Sequence, residues 1–561
     1  MTAPSVPRVR ARRPKVRTGC VTCKSRRIKC DEARPACVRC QKSRLPCQYH
    51  DSSENQDGSR GQRSLLPAAS EQLSRLRSEL STRLPPRVKY EDFLEPEVYY
   101  FDLFRNIIVD NLCQNGYISL WSRTILRESF RDNCVRDAVL GIGALCRALM
   151  DDNQHVNVKL TKPLWTVPTI AVSCPNTKYH RDAIKYYMKS IARFRAQISR
   201  DGSAIPSRSI MIVSILFIIF ETMQGDTDSI DRIMLSAITA LKVNLGRDAE
   251  PQRQISPALD DDGVREADCF LTRLSGFSSL LSPFYPSLLK SKAYEGSQMA
   301  KDTIPVPTAT PLQIEQAFEQ YTTSALIWCF RTVQGNMFGH PIDAVRHREE
   351  QLSVSTQADG WCAFITKKLE GETDPWQRRT WKIMLVEAKM FSIYTTYSQD
   401  ADEHERVWDA RVEDCREAVA LAESVLDEPT PFSSLPPMFE DKLLPTLRCF
   451  ICKCRDRPTR ARALKICTRL AGPWFENRAI LVGLQIMIAM EERDRDADPC
   501  GFIPIRLRYR WNESSWSDDR TELRMVLTRI VTGARKEFTI HSNYSVEEML
   551  KKLGESPGDG Q

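Results

Sequence analysis

Six cysteines near the N-terminus constrain this chain more than any other feature. They are Cys20, Cys23, Cys30, Cys37, Cys40 and Cys47, spaced C-x2-C-x6-C-x6-C-x2-C-x6-C. The spacing is an internal repeat. "CVTCKSRRIKC" and "CVRCQKSRLPC" share three cysteines, a Val after the first, an Arg further on and an aliphatic residue beside it, Ile28 or Leu45. The six intervening residues let a short helix leave a Cys-x-x-Cys knuckle and bring a third thiolate back to it. Tetrahedral zinc takes four ligands. Six thiolates complete one site with two left over, or two sites if two thiolates bridge. The repeat favours the second solution, one half per metal. Such a centre is negatively charged, and neighbouring Lys and Arg offset that charge and keep the thiols deprotonated. A module this small, with almost no apolar core, cannot fold on burial alone. Metal binding supplies its folding free energy, roughly 10 kcal/mol or more per structural site.

A disulfide scaffold would require an oxidising compartment. The leading "MTAPSVPRVRARRPKVR" is charged but is followed by no apolar segment of a secretory signal. The expectation is therefore an intracellular, reducing setting in which the nineteen cysteines serve as thiols or metal ligands. The longest apolar stretch, "IMIVSILFIIF" from Ile210 to Phe220, is interrupted by Ser214 and is too short to span a bilayer. It predicts a buried core helix, and no membrane association is expected.

Charge is distributed unevenly. The first fifty residues hold fourteen Lys/Arg and two Asp/Glu, whereas the remainder holds 66 and 70. A concentrated cation joined to a mildly acidic body predicts a basic module that meets a polyanion.

The cysteine spacing, the basic "KSRRIKC" and the "ARPAC" loop with Pro35 ahead of the fourth cysteine closely resemble the fungal binuclear zinc cluster (zinc two, cysteine six) DNA-binding domain. The resemblance implies two Zn²⁺, with Cys20 and Cys37 bridging, Cys23 and Cys30 completing one site, and Cys40 and Cys47 the other. It implies double-stranded DNA as partner and Arg26 and Arg27 as the pair that touches a CGG triplet. Arg can donate to both N7 and O6 of guanine in the major groove. Lys24, Lys29, Lys42 and Arg44 are expected at phosphates, which take most protein–DNA contacts. Arg8, Arg10, Arg12, Arg13, Lys15 and Arg17 form a basic arm suited to nuclear import or to the DNA backbone. The family is one of nuclear transcription regulators of RNA polymerase II genes.

Residues 50–88 read as a linker, with "DSSENQDGSRGQRS" as its flexible part. Within it, Ala69, Leu73, Leu76 and Leu80 occupy a/d positions of a short coiled coil between Pro67 and Pro85–Pro86. A seam under two heptads long could join a homodimer or be a lone amphipathic helix.

Residues 89–550 show helical periodicity, and the expected body is a large all-α regulatory domain. Val135, Ala138, Val139, Ile142, Leu145 and Leu149 form one apolar stripe; Ile184, Tyr187, Met188, Ile191, Phe194 and Ile198 form another. Pro375 suits the first turn of a helix. Further helices are expected near 311–335, 408–427, 459–492 and 519–537, with loops near 151–178, 246–262, 283–310 and 495–517. The basic arm (1–18) and the tail (551–561) are expected to be disordered. In "WSRTILRESFRDNCVRDAVLGIGALCRAL", the helix led by His180 and the Ile210–Phe220 segment, the body resembles the helical fungal-specific regulatory domain. That resemblance implies effector sensing, dimerisation or contact with a transcriptional co-regulator.

Nothing predicts catalysis. The seven His form no H-E-x-x-H, and neither G-x-x-x-x-G-K nor G-x-S-x-G occurs. Asp260 to Asp262 read as a solvated loop. Cys449, Cys452 and Cys454 in "CFICKC" lack a partner knuckle and read as core residues.

Overall fold

The structure, a computed structural model, describes residues 23, 30–33, 36–43, 47, 95–155, 177–200, 206–224, 229–230, 232–233, 236–237, 239, 262–281, 304–338, 344–396, 401–429, 441–470, 475–493, 502–517, 522–541 and 551. The chain divides into two compact units, Met1–Leu66 and Pro67–Gln561. The division falls inside the segment read as a linker. Described residues of the first unit include one short helix, α1 (Val38–Lys42). The a/d residues Ala69, Leu73, Leu76 and Leu80 lie outside the described residues.

The second unit is a mostly helical body with two apolar cores. The first is built by α2 (Glu95–Leu103), α3 (Val109–Cys113), α4 (Ile125–Arg131), α5 (Asn133–His155), α6 (Lys178–Arg200), α7 (Ser207–Gln224) and α8 (Asp262–Leu281). The α5 stripe from Val135 to Leu149 is buried, as its spacing predicts. Asp132 accepts the Cys134 N–H at 2.7 Å at the start of this helix. Gly143 lets α2 approach closely: a Cβ there would lie 2.0 Å from the Tyr100 carbonyl oxygen. Helix α7 buries Ile210 to Phe220 on every side, the expected core helix.

The second core is formed by α9 (Pro311–Phe338), α10 (Ala344–Glu370), α11 (Pro375–Tyr394), α12 (Ala401–Ala410), α13 (Val412–Val425), α14 (Leu443–Lys453), α15 (Arg457–Leu470), α16 (Phe475–Arg493) and a small sheet. Asp374 caps α11 by accepting the Trp376 N–H at 3.0 Å, and Pro375 occupies the first turn, where its missing N–H has no cost. A buried polar network joins the two cores. Arg273 of α8 donates to Glu319 of α9 at 2.9 Å and to Glu387 of α11 at 2.8 Å. The Tyr117 hydroxyl and Lys442 also bind Glu319. Each of these ions is paired, which such burial requires.

Three findings differ from expectation. First, the body is not all-α. Strands β1 (Tyr509–Trp516), β2 (Glu522–Arg529) and β3 (Arg535–His541) form an antiparallel sheet in that order. The helix expected near 519–537 is replaced by β2 and β3, and part of the loop expected near 495–517 is β1. Leu523, Met525 and Leu527 alternate into the core as a strand requires. Leu523, Leu527 and Ile530 also fit a helical period, and only Gly533, with φ of 69° between β2 and β3, marks the hairpin. Second, α6 turns in only part of the expected stripe, burying Tyr187 and packing Ile191 and Phe194 against the core. Ala183, Tyr186, Tyr187 and Ser190 are buried, whereas Ile184, Met188 and Ile198 are exposed. Third, Asp262 opens α8 instead of closing a loop; Asp260 and Asp261 lie outside the described residues. Among the described residues no helix is long and apolar enough to cross a membrane.

Candidate metal centre

Cys37 precedes α1 in an extended conformation, and its sulfur caps the helix by accepting the Cys40 N–H at 3.4 Å. One turn later Cys40 returns its own sulfur to the same side, so the Cys-x-x-Cys spacing becomes a pair of buried donors. Cys23 joins them. Its Sγ lies 3.6 Å from Cys37 Sγ and 3.9 Å from Cys40 Sγ. These separations exceed a disulfide by far, since bonded sulfurs sit about 2.05 Å apart. The Cys23–Cys37 separation is close to the edge of a thiolate tetrahedron around zinc, about 3.8 Å for a Zn–S bond of about 2.3 Å. The donor set therefore fits zinc in both chemistry and spacing.

A second group of donor atoms, from Cys30, Asp31 and Cys37, also lies within 4.8 Å of one another. The Cys37 sulfur belongs to both groups. Cys47 also reaches this residue, its sulfur accepting the Cys37 N–H at 3.3 Å. The Glu32 N–H donates to Cys30 Sγ at 3.4 Å. Backbone N–H groups aimed at sulfur favour the thiolate over the thiol, the form that binds metal.

Asp31 is a residue that spacing alone did not single out. Its carboxylate accepts the Val38 N–H at 3.0 Å and the Arg39 N–H at 3.5 Å, the first exposed donors of α1. The Val38 N–H is the main influence that holds its carboxyl below the usual carboxylate range. Asp31 thus ties the residue after the third cysteine to the helix after the fourth. The only sequence signal for it is an acidic residue directly following Cys30. Glu32, beside it, holds φ of 61°, in the left-handed region.

Cys20 lies outside the described residues, as do Lys24, Arg26, Arg27, Lys29 and Arg44 and the arm residues Arg8, Arg10, Arg12, Arg13, Lys15 and Arg17. Lys42 is described and exposed at the last turn of α1, where a cation complements the helix C-terminus. In the body, Cys449 and Cys454 are buried in the second core and Cys452 packs against it. Burial pushes the Cys449 thiol up to about 12 and the Cys452 thiol up to about 11, so both stay protonated at neutral pH. Among the described residues, no donor triad forms around them.

Residues 18–56 match the fungal Zn(2)-Cys(6) binuclear cluster domain. No curated protein and no protein of solved structure shows significant similarity to the chain. A domain of this kind binds two Zn²⁺ and implies a zinc-cluster DNA-binding transcription factor, a class that is not enzymatic.

Proposed function

We propose that this zinc-cluster protein is a nuclear, sequence-specific regulator of RNA polymerase II genes that reads CGG-type triplets. In this reading, Cys20 and Cys37 bridge the two zincs. Cys23 and Cys30 complete one site, and Cys40 and Cys47 the other. The observation that carries it is the Cys37 sulfur, which lies within 4.8 Å of the sulfurs of Cys23 and Cys30, assigned to one zinc, and of Cys40, assigned to the other. A lone zinc would need no shared thiolate, and the shared one supports a binuclear centre. Zinc supplies no redox chemistry here; it holds the knuckles in place and leaves the chain's own cations to meet DNA.

Arg26 and Arg27 are assigned to guanine edges, and Lys24, Lys29, Lys42 and Arg44 to phosphates. Arg8, Arg10, Arg12, Arg13, Lys15 and Arg17 are assigned to nuclear import. The exposure of Lys42 supports its phosphate role. The helical body is assigned to regulation, by an effector, a co-regulator or a second copy of the chain.

Fluorescence anisotropy on CGG-containing and scrambled duplexes tests the assignment. Arg27→Ala should weaken the CGG duplex by about 1–3 kcal/mol and erase the preference for it. Lys42→Ala should weaken both duplexes alike and lower the salt slope by about one. A preference that survives Arg27→Ala contradicts the base-contact assignment.

A further inference from the structure

Helix α6 carries more apolar surface than the body uses. Tyr187 stacks on Phe220 with ring centroids 3.9 Å apart and meets Phe217 edge-on at 5.3 Å. Ser190 and Cys134 bind each other's backbone and side-chain groups across the α5 contact. These contacts consume one edge of the helix. Along the next edge, Ile184, Met188 and Ile198 are 37, 56 and 52% exposed. At about 100° per residue the three fall within about 80° of one another and extend over about 21 Å of helix. A single exposed apolar residue is ordinary. Three aligned on one helix make the kind of strip that receives an amphipathic partner helix through anchors spaced by whole turns.

Charge says which kind of partner fits. Lys178–Arg200 holds seven Lys/Arg and a single acidic residue, Asp182. Asp182 accepts the Tyr100 hydroxyl at 2.7 Å, within the body. Lys189 and Arg193 face Asp137 at 3.3 and 2.6 Å. Lys185 is exposed at the edge of the apolar strip, and Arg195 is exposed within its arc, between Met188 and Ile198. A second copy of α6 on this strip would set one cationic rim against another, which opposes self-association.

We propose that the Ile184–Met188–Ile198 strip of α6 is a docking surface for an acidic amphipathic helix of a partner protein. The apolar strip supplies affinity, and Lys185 and Arg195 select the sign of the partner's charge. This does not depend on the zinc module.

The test uses the full zinc-loaded chain and a fluorescein-labelled helical peptide with Leu along one face and Glu on its flanks. A matched peptide carries Lys in place of Glu. The acidic peptide should bind and the basic one should not. Met188→Glu and Ile198→Ser should each weaken binding about tenfold. Lys185→Glu with Arg195→Glu should weaken it and reduce its dependence on salt. All four positions are exposed, so thermal unfolding of the variants should match that of the wild type. Failure of the acidic peptide to bind overturns the proposal, as does binding unchanged by these variants or equal binding of both peptides. Sedimentation showing a dimer that Met188→Glu dissolves would assign the strip to a second copy and overturn it as well.

Discussion

Glu32 holds a left-handed backbone conformation, with φ of 61°, that costs a residue bearing Cβ about 1 kcal/mol. The loop accepts this because the same turn points the Glu32 N–H at Cys30 Sγ and the Asp31 carboxylate at α1. Glu32→Gly removes the steric cost and keeps the backbone donor. It should raise the stability of the metal-loaded module by about 1 kcal/mol, read as a higher chelator concentration at half-release of zinc. An unchanged midpoint would mean that the turn is unstrained. At this scale the metal centre was legible and its supports were not. Repeated cysteine spacing announces a metal centre without any folding. Asp31 reaches the Val38 N–H from seven residues upstream, and only the folded loop brings the two together.

Secondary-structure elements were legible where one period dominated. Helix α7 is apolar along its whole middle and the α5 stripe is buried as its spacing requires, although α5 also buries Asp137 and Leu140 on its opposite side. Helix α6 has an apolar arc wider than the surface available to it, and spacing cannot say which edge packs. The sheet was missed because β2 satisfies both periods and its main cue is a single glycine. What seats the sheet is also invisible in sequence. Gly483 of α16 faces the Trp511 ring, where a Cβ would come within 2.4 Å of Cη2, and Met525 Sδ lies beside it at 3.2 Å. Gly483→Ala therefore overpacks this contact and should cost about 1–3 kcal/mol, seen as a lower Tm of the body. Wild-type stability would show that the sheet can shift away without loss.

A second prediction at the level of elements concerns Glu315 of α9. Burial raises its carboxyl to about 7 against the lowering influence of the Lys442 ammonium and of Gln377. The folded chain then holds this proton at pH values where the unfolded chain, with a carboxylate near the usual 4.3, has released it. Stability must fall as pH rises from about 4 to about 7, and the full cost is present above that range. Glu315→Gln should match the wild type near pH 4 and exceed it by up to about 3–4 kcal/mol at pH 8, measured by chemical denaturation. A constant difference across this range would rule out titration of Glu315 as its cause.

At the scale of the whole molecule, two organising forces meet in one chain. The body is held by two apolar cores with a paired ionic network between them. Among the described residues of the N-terminal module, the buried side chains are those of Cys23, Cys37 and Cys40. Sequence charge follows the same partition, with the cations concentrated in the first fifty residues. Chelation should therefore abolish DNA binding while leaving the helical circular dichroism of the body nearly unchanged. The central claim, that six thiolates share two metals, is tested most directly by native mass spectrometry of the zinc-reconstituted chain. The account predicts two zincs per chain, with Cys37→Ser unable to retain both. One zinc per chain, or two zincs undisturbed by Cys37→Ser, would contradict it.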